Sequence, residues 1–457
     1  MNTHKRRNLE LLIIFLVCIN NIAFATDYDD KDHNKLFLSL IRERNHLIIS
    51  STIKEIEESW QEGYIPLTVE TINSTANGYT RRQLIALLER NTNVYSNGDF
   101  DSLYQWMWQN QEKKLNDYAS FKADLYKNID PRFEKYFKNR NDQTLIRFDE
   151  IRWGGVLQDG IPPLRKPKMI SAFEADYLKD DNIVFGIEVN GDVRAYPKRI
   201  LAWHEMFVDN VGGVPLVGVY CTLCGSVILY KTEHNGVKHQ MGTSGFLYRS
   251  NKLMYDKKTQ SLWNTFLGEP VVGPLINKGI ALEHMSVVTT TWKAWKERHP
   301  NTKVLSLKTG YRRDYGEGVA YKDYFSSDEL MFNTPFNDTR LKNKEEVLAL
   351  RFAEYPDEQL AISTSFLNLR SIYSDKIGDI DFVVLTDRTG ANRVYEKGDV
   401  NFVSYDGLST LTDQEGKKWS LSETELQSAS QTLKRLPYHR AFWFGWLAAY
   451  PKTRLVK

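Results

Sequence analysis

Cysteine, net charge and long apolar runs are all scarce in this chain. Only three of the 457 residues are cysteines, at positions 18, 221 and 224. The 60 basic and 58 acidic residues leave a formal net charge of +2, so electrostatics gives no reason to expect nucleic acid or an anionic membrane as a partner. A glycine-rich phosphate loop, a dinucleotide fingerprint and a paired-carboxylate motif are also absent, so we expect no nucleotide cofactor.

The N-terminus has the pattern of a secretory signal peptide. Basic residues at 5–7 precede an apolar stretch at 11–17, and the Ala-Phe-Ala sequence at 23–25 has small residues where a signal peptidase requires them. The apolar stretch is shorter than the roughly 20 residues that span a bilayer, although a retained membrane anchor is the alternative. We predict cleavage after Ala25, loss of Cys18, and a periplasmic or secreted mature protein without a transmembrane segment.

Residues 26–148 have the pattern of a helical domain. Leucine and isoleucine recur at helical spacing, most clearly in 81–90, and Gly, Asn and Asp turns separate the segments. Short helices joined in this way are typical of HEAT-type arrays. No catalytic pattern occurs here, so we expect this domain to offer a surface to a protein partner.

The pattern changes near Ile151. Glycines and prolines at 154–163 mark a boundary, and short β-branched runs separated by Gly, Asn and Asp follow it. Residues 149–457 are therefore predicted to be mainly antiparallel β-structure, which makes the protein α+β as a whole.

This β region contains a repeated pattern. Residues 292–305 and 443–456 share the sequence W-x-x-W-x-x-x-x-P-x-T, a basic residue and two aliphatics. Earlier in the chain, a strand-like run at 183–187 matches another at 346–350. We predict two diverged tandem repeats, a first lobe at about 183–305 and a second lobe at about 346–456.

Comparison of the two predicted repeats distinguishes residues that the fold requires from residues that have a chemical role. The loop that holds Cys221 and Cys224 matches Asp387-Arg-Thr-Gly in the second lobe, where there is no sulfur. His204 of the first lobe matches Arg370 of the second. The cysteines therefore need a reason other than the fold.

Several ungapped blocks resemble the bacterial family known as domain of unknown function 3179. They are DGIPP (159–163), RAYP (194–197), WHE (203–205), YCTLCG (220–225), GTSGFLYRSN (242–251), SLW (261–263), TTTW (289–292) and HRAFWFGW (439–446). The resemblance covers about 145–457. It implies an extracytoplasmic bacterial protein and brings no established reaction with it. The family usually has proline after the first cysteine, where this chain has Thr222, so the loop is less rigid here.

Cys221 and Cys224 form a CxxC motif followed by Gly225. In thioredoxin-like proteins the motif opens a helix, whose N-terminus lowers the pKa of the first thiol. Here the residues after the glycine have strand propensity instead. The sequence therefore favours a tight turn between two strands over a thioredoxin-like motif.

Such a turn suits a soft metal. Two thiolates would face one ion, His204 is the best further ligand, and Glu205 and Met241 are weaker candidates. Sulfur and imidazole ligands suit copper or zinc, and an incomplete set leaves an open position.

Two other interpretations remain open. The cysteines fit a redox pair, or a structural disulfide in a non-enzymatic scaffold, although a loop this short gains little stability from closure. Arg194, Tyr248 and Arg249 are candidates for a pocket that binds an anionic substrate. None of these interpretations identifies a reaction, so whether the protein is an enzyme stays open.

Overall fold

The computed structural model describes residues 33–96, 99–110 and 117–457. The chain divides into two compact units, 1–157 and 158–457. The predicted signal peptide lies outside the described residues.

The first unit is helical, as predicted. Its helices are α1 (His33–Leu40), α2 (His46–Glu58), α3 (Tyr64–Ser74), α4 (Gly78–Asn91), α5 (Phe100–Asn110), α6 (Tyr118–Tyr126) and α7 (Glu134–Phe137), with 3-10 turns at Pro131–Phe133 and Phe148–Glu150 and a short strand β1 (Ile151–Trp153). Asparagine side chains cap two of these helices, since Asn45 accepts from the N–H of Leu47 and Asn77 from that of Tyr79. The helical content is confirmed, and the HEAT-type arrangement stays a prediction.

The second unit is mostly antiparallel β-structure, also as predicted. Its first half contains β2 (Leu164–Arg165), β3 (Met169–Ser171), β4 (Ile183–Val189), β5 (Asp192–Pro197), α8 (Lys198–His204), β6 (Met206–Val211), β7 (Val214–Cys221), β8 (Ser226–Lys231), β9 (Glu233–His234), β10 (Val237–Lys238), β11 (Met241–Tyr248), β12 (Asn251–Asp256), β13 (Leu262–Asn264), β14 (Glu269–Val272), β15 (His284–Met285), β16 (Val288–Thr291), α9 (Trp292–Arg298) and β17 (Lys303–Leu305).

The second half follows a long segment of mostly irregular backbone. It contains α10 (Lys322–Phe325), β18 (Glu346–Leu350), β19 (Leu360–Ser363), α11 (Thr364–Asn368), β20 (Ile372–Ile377), β21 (Ile380–Thr386), β22 (Asn392–Glu396), β23 (Phe402–Tyr405), β24 (Thr410–Asp413), β25 (Lys418–Leu421), β26 (Glu425–Gln427), β27 (Thr432–Lys434), β28 (His439–Phe442), α12 (Trp443–Ala449) and β29 (Arg454–Val456).

One sheet in each half has the same strand order. The first runs β16-β4-β5-β17 and continues to β3, and the second runs β28-β18-β19-β29. In both, the strand after the tryptophan-rich helix pairs in parallel, β17 with β5 and β29 with β19. The Trp295 indole N–H donates to the Thr302 hydroxyl at 3.0 Å, and Trp446 donates to Thr453 at 2.9 Å. The shared W…T pattern therefore serves the same helix-to-strand connection twice.

Strands β7 and β8 are buried on both faces, which explains their continuous apolar sequence. Because side chains alternate along a strand, Val219 and Cys221 enter one core cluster and Tyr220 enters another. The β7–β8 turn is thus held between two packed cores. Among the described residues, no helix combines the length and the apolarity needed to cross a membrane.

Candidate functional site

The turn between β7 and β8 places both cysteines. Cys221 is the last residue of β7 and pairs with Ser226 at the start of β8. Gly225 closes the turn at a φ of 57°, and a Cβ there would lie 2.8 Å from the Phe442 ring. The glycine is therefore required both by its left-handed backbone and by the close approach of that ring.

Both cysteines are free thiols in the core, and no disulfide joins them. Cys221 is 2% exposed and Cys224 is fully buried. The Asn251 amide donates to the Cys224 sulfur at 3.3 Å. The Cys224 thiol hydrogen has two acceptors within reach, the Ser250 carbonyl at 3.3 Å and the Cys221 sulfur.

Residues of the second lobe pack against Cys224. The Phe442 N–H donates to the Cys224 carbonyl at 2.7 Å. At Gly445 on α12, a Cβ would lie 3.1 Å from the Cys224 Cβ and 3.2 Å from its sulfur, so a side chain there would press on the thiol. The HRAFWFGW block is thus part of the thiol environment.

The two thiols have opposite acidities. Burial and the Glu205 charge disfavour ionisation of Cys221, but hydrogen bonds from Cys224 and the Lys252 backbone N–H, together with the Lys252 charge, hold its pKa below the ordinary thiol value. Burial, the contact with Cys221 and the charge of Glu205 raise the pKa of Cys224 well above that value. The pair therefore contains one acidified thiol beside one that keeps its proton.

A buried ion pair lies beside the turn. The Lys252 ammonium pairs with the Glu205 carboxylate, and both residues are buried. The hydroxyls of Thr222 and Tyr321 donate to the same Glu205 oxygen at 2.8 and 3.1 Å. Glu205 was a weaker candidate metal ligand, but its oxygens hold Lys252 and two hydroxyls. A proline at position 222 could not make the hydroxyl bond to Glu205.

His204 does not join the cysteines. Its Nδ1 lies 2.8 Å from the Pro162 carbonyl and its Nε2 2.6 Å from the Tyr315 hydroxyl. The reason is local backbone geometry, because α8 ends at His204 and Glu205 turns left-handed at a φ of 53°. The two side chains therefore diverge, and only Glu205 reaches the turn. Burial lowers the pKa of His204, so the ring is neutral at pH 7.

The structure thus brings together two of the three expected metal ligands. In residues 33–96, 99–110 and 117–457, no group of three or more His, Cys, Asp or Glu side chains is placed to hold a metal ion. Met241 is buried in the same core cluster as both cysteines. The His204 ring bonds Pro162 and Tyr315, so the two cysteines and His204 do not form a three-ligand site in this arrangement.

The predicted anion pocket is not a simple cluster. Arg194 is held by Asp192 at 2.7 Å and Asp209 at 2.6 Å, so its charge is neutralised within the fold. The Arg249 guanidinium lies over the Tyr248 ring and donates to the Ala448 carbonyl at 3.1 Å. These contacts are structural, and a substrate role for the three residues stays a prediction.

A segment between the two lobes covers the turn. The Tyr324 hydroxyl donates to the Leu223 carbonyl at 2.8 Å, and the Phe325 ring packs edge-on against Phe442 at 6.2 Å. Tyr315 bonds His204, and Tyr321 bonds Glu205. We call residues 309–325 the cover. Tyr324 belongs to the same buried cluster as both cysteines, so the cover contributes to their burial.

Sequence reasoning missed Lys252 and the cover. Lys252 directly follows the GTSGFLYRSN block, and this position was the available signal. The tyrosines of the cover had no such signal, because they lie in an irregular segment far along the chain from the cysteines.

No curated protein and no solved structure matches the chain. The model of one family matches residues 158–453, which include the turn, both cysteines, the cover and α12. The chain therefore belongs to the family described as protein of unknown function (DUF3179).

Proposed function

We propose that Cys221 and Cys224 are a thiol–disulfide redox pair. The observation that carries this proposal is the asymmetry of the two adjacent free thiols, one acidified and one protonated. A nucleophilic thiol needs a lowered pKa, and a resolving thiol beside it keeps its proton until the second step.

The exchange starts at Cys221. Its thiolate attacks one sulfur of a partner disulfide, a Cys221–partner bond forms, and the other partner sulfur leaves as a thiolate that takes the Cys224 proton. The Cys224 thiolate then attacks the Cys221 sulfur, the internal disulfide forms, and the remaining partner sulfur leaves. Two electrons pass from the cysteine pair to the partner, and the reverse sequence oxidises a partner dithiol.

The surroundings of the pair support these steps. The Lys252 N–H and charge stabilise the Cys221 thiolate, and the Cys224 hydrogen can rotate from the Ser250 carbonyl to the Cys221 sulfur. Because both sulfurs are buried, a partner reaches them only when the cover moves. Within this proposal, the cover restricts which disulfides react.

The location of the reaction is part of the proposal. The signal-peptide pattern of residues 1–25 supports a periplasmic or secreted protein, and such compartments contain disulfides as partners. The predicted helical domain is where we expect a protein partner to bind.

The test is a redox titration of the mature protein. The protein is equilibrated with glutathione buffers, its thiols are trapped with maleimide, and its mass is measured. We expect a single two-electron transition from a state with two free thiols to a state with no free thiol. Two free thiols at every ratio, even after long equilibration, would overturn the proposal. A permanent disulfide at every ratio would support the scaffold interpretation instead.

A soft-metal site is the second candidate. Two free thiols lie side by side, in the same core cluster as Met241, and thiolate with thioether is a ligand set for copper(I) or zinc. Elemental analysis of protein purified from its own compartment distinguishes the candidates. One equivalent of copper or zinc that is lost in a Cys221→Ser, Cys224→Ser double variant would favour metal binding.

We also propose that the two lobes are diverged copies of one unit. The shared strand order, the parallel pairing and the paired Trp–Thr bonds support this proposal. An experimental structure tests it, because superposition should then align the β7–β8 turn with the β21–β22 turn.

A further inference from the structure

The second lobe has a cavity at its own sheet-end turn. Three segments, 368–371, 386–390 and 405–407, surround a space of about 560 Å³. They are the end of α11, the β21–β22 turn and the β23–β24 turn. This volume is within the range of small-molecule sites, about 300–1,000 Å³.

Two arginines of the cavity wall lack carboxylate partners among the described residues. Arg370 donates to the Phe366 carbonyl at 3.0 Å, and its guanidinium lies over the Phe366 ring. Arg388 donates to the Asp406 backbone carbonyl at 2.9 and 3.2 Å. These contacts orient each guanidinium but leave its charge uncompensated and further N–H groups free to donate.

The carboxylates of the wall are used inside the fold. Asp387 accepts from the N–H and hydroxyl of Thr389 and from the N–H of Ala391, and its other oxygen pairs with buried Arg393. One oxygen of Asp406 accepts three backbone N–H groups of its own turn, from Leu408, Ser409 and Thr410. Neither carboxylate pairs with the two arginines.

We propose that this cavity binds a small polar molecule through a phosphate or carboxylate group held between Arg370 and Arg388. A planar guanidinium recognises either oxyanion by paired hydrogen bonds, and two preoriented guanidiniums select for the anion. Asn368, Ser371 and Thr389 add amide and hydroxyl groups to the wall, which suits the polar remainder of the molecule. The site is independent of the thiol pair and does not rest on the proposed redox function.

The experiment is calorimetric titration of the full chain at constant ionic strength, with pyrophosphate in one arm and citrate in the other. We expect saturable binding in at least one arm, and the stronger arm identifies the preferred group. Arg370→Gln and Arg388→Gln should each weaken it by at least about tenfold, because each removes a charge-assisted hydrogen-bond donor.

Lys434→Gln is the matched control, since this exposed lysine of β27 lies in the same lobe outside the cavity. It should leave the affinity unchanged, and melting curves of all variants should match the wild type. No saturation in either arm would overturn the proposal. Equal weakening by Lys434→Gln and the arginine variants would also overturn it, because that result indicates non-specific attraction.

Discussion

The β7–β8 turn of the first lobe and the β21–β22 turn of the second each connect two neighbouring antiparallel strands, but their surroundings differ. The first holds two thiols beneath the cover, and the second holds Arg388 beside an open cavity. Each rests on buried charge, the Lys252–Glu205 pair in one and Arg393 with Asp387 and Glu423 in the other. Within the proposed duplication, the difference teaches that both turns lie on buried ion pairs but carry unrelated chemistry.

The largest effect should come from making the first turn as free of sulfur as the second. Cys221→Ser should abolish thiol exchange, because a serine hydroxyl does not ionise near neutral pH. Its free energy of unfolding should fall by only about 1 kcal/mol, since the hydroxyl can keep the hydrogen bond to the Lys252 N–H.

Exchange kinetics and melting curves check this expectation. Cys224→Ser is the companion variant, and it should stop at a stable mixed disulfide because the resolving thiol is gone. Exchange that survives Cys221→Ser would contradict the assignment of the nucleophile.

Removal of one charge from the buried ion pairs beside each turn is the next test. We call these pairs the two anchors, Lys252–Glu205 in the first lobe and Arg393 with Asp387 and Glu423 in the second. Lys252→Met leaves the Glu205 carboxylate buried without its counter-ion and should lower the free energy of unfolding by about 3–5 kcal/mol. Arg393→Met should cost a similar amount in the second lobe. Only Lys252→Met should raise the pKa of Cys221, because the charge of Lys252 acts on that thiol and the charge of Arg393 does not.

Chemical denaturation and alkylation rates against pH measure the two effects. The double variant Glu205→Gln, Lys252→Met should regain most of the stability and reverse the rise in the Cys221 pKa, because the Glu205 charge that opposes ionisation of this thiol is also removed. A raised thiol pKa in Arg393→Met would contradict the separation of the two anchors.

The pH dependence sharpens the comparison further, because only the first turn carries thiols. Alkylation of Cys221 should reach half its maximal rate at a lower pH than that of an ordinary thiol. Its lowered pKa contributes stability above about pH 8.5, which is lost as pH falls through the folded value. The raised pKa of Cys224 acts oppositely, and its contribution is lost above about pH 8.5.

Cys224→Ala separates these contributions. It should move the alkylation midpoint of Cys221 upward, because the donor to its thiolate is lost, and remove the alkaline loss of stability. An unchanged midpoint would mean that the two thiols do not share a hydrogen bond in solution.

Loosening the cover should have a moderate effect. Tyr324→Phe removes the bond to the Leu223 carbonyl, worth about 1 kcal/mol, so thiol labelling by a bulky disulfide reagent should become about fivefold faster. Tyr405→Phe is the matched control, because its hydroxyl also bonds a loop carbonyl, that of Leu408, but beside the open cavity. Equal labelling rates in both variants would show that the cover does not control access.

The smallest effect on thiol chemistry should come from His204→Ala. Its ring bonds Pro162 and Tyr315, and it is neutral at pH 7, so the pKa of Cys221 should stay nearly unchanged. Alkylation profiles of the variant check this. A large shift of the profile would show that His204 does influence the ionisation of Cys221.

The comparison also shows what sequence reasoning could reach. The CxxCG turn was predictable because strand propensity and a glycine are local signals, and Gly225 does adopt a left-handed φ. The His204 expectation rested on its position 17 residues before the first cysteine of the motif, enough for a turn and a strand to return it to the same end of the sheet. In the structure its ring bonds Pro162 and Tyr315 instead. The left-handed backbone of Glu205, at the end of α8, has no signal in the pattern of apolar residues.

The sequence by itself determined the helical N-terminal region, the mainly antiparallel β region, the family and the position of both cysteines on a turn between strands. These follow from short-range periodicity, turn residues and ungapped motifs. Only the tertiary structure decided which cysteine is acidic, because Lys252, Asn251 and the cover come from distant segments. Ionisation of a buried thiol depends on the charges and donors packed around it, and those contacts exist only once the chain has folded.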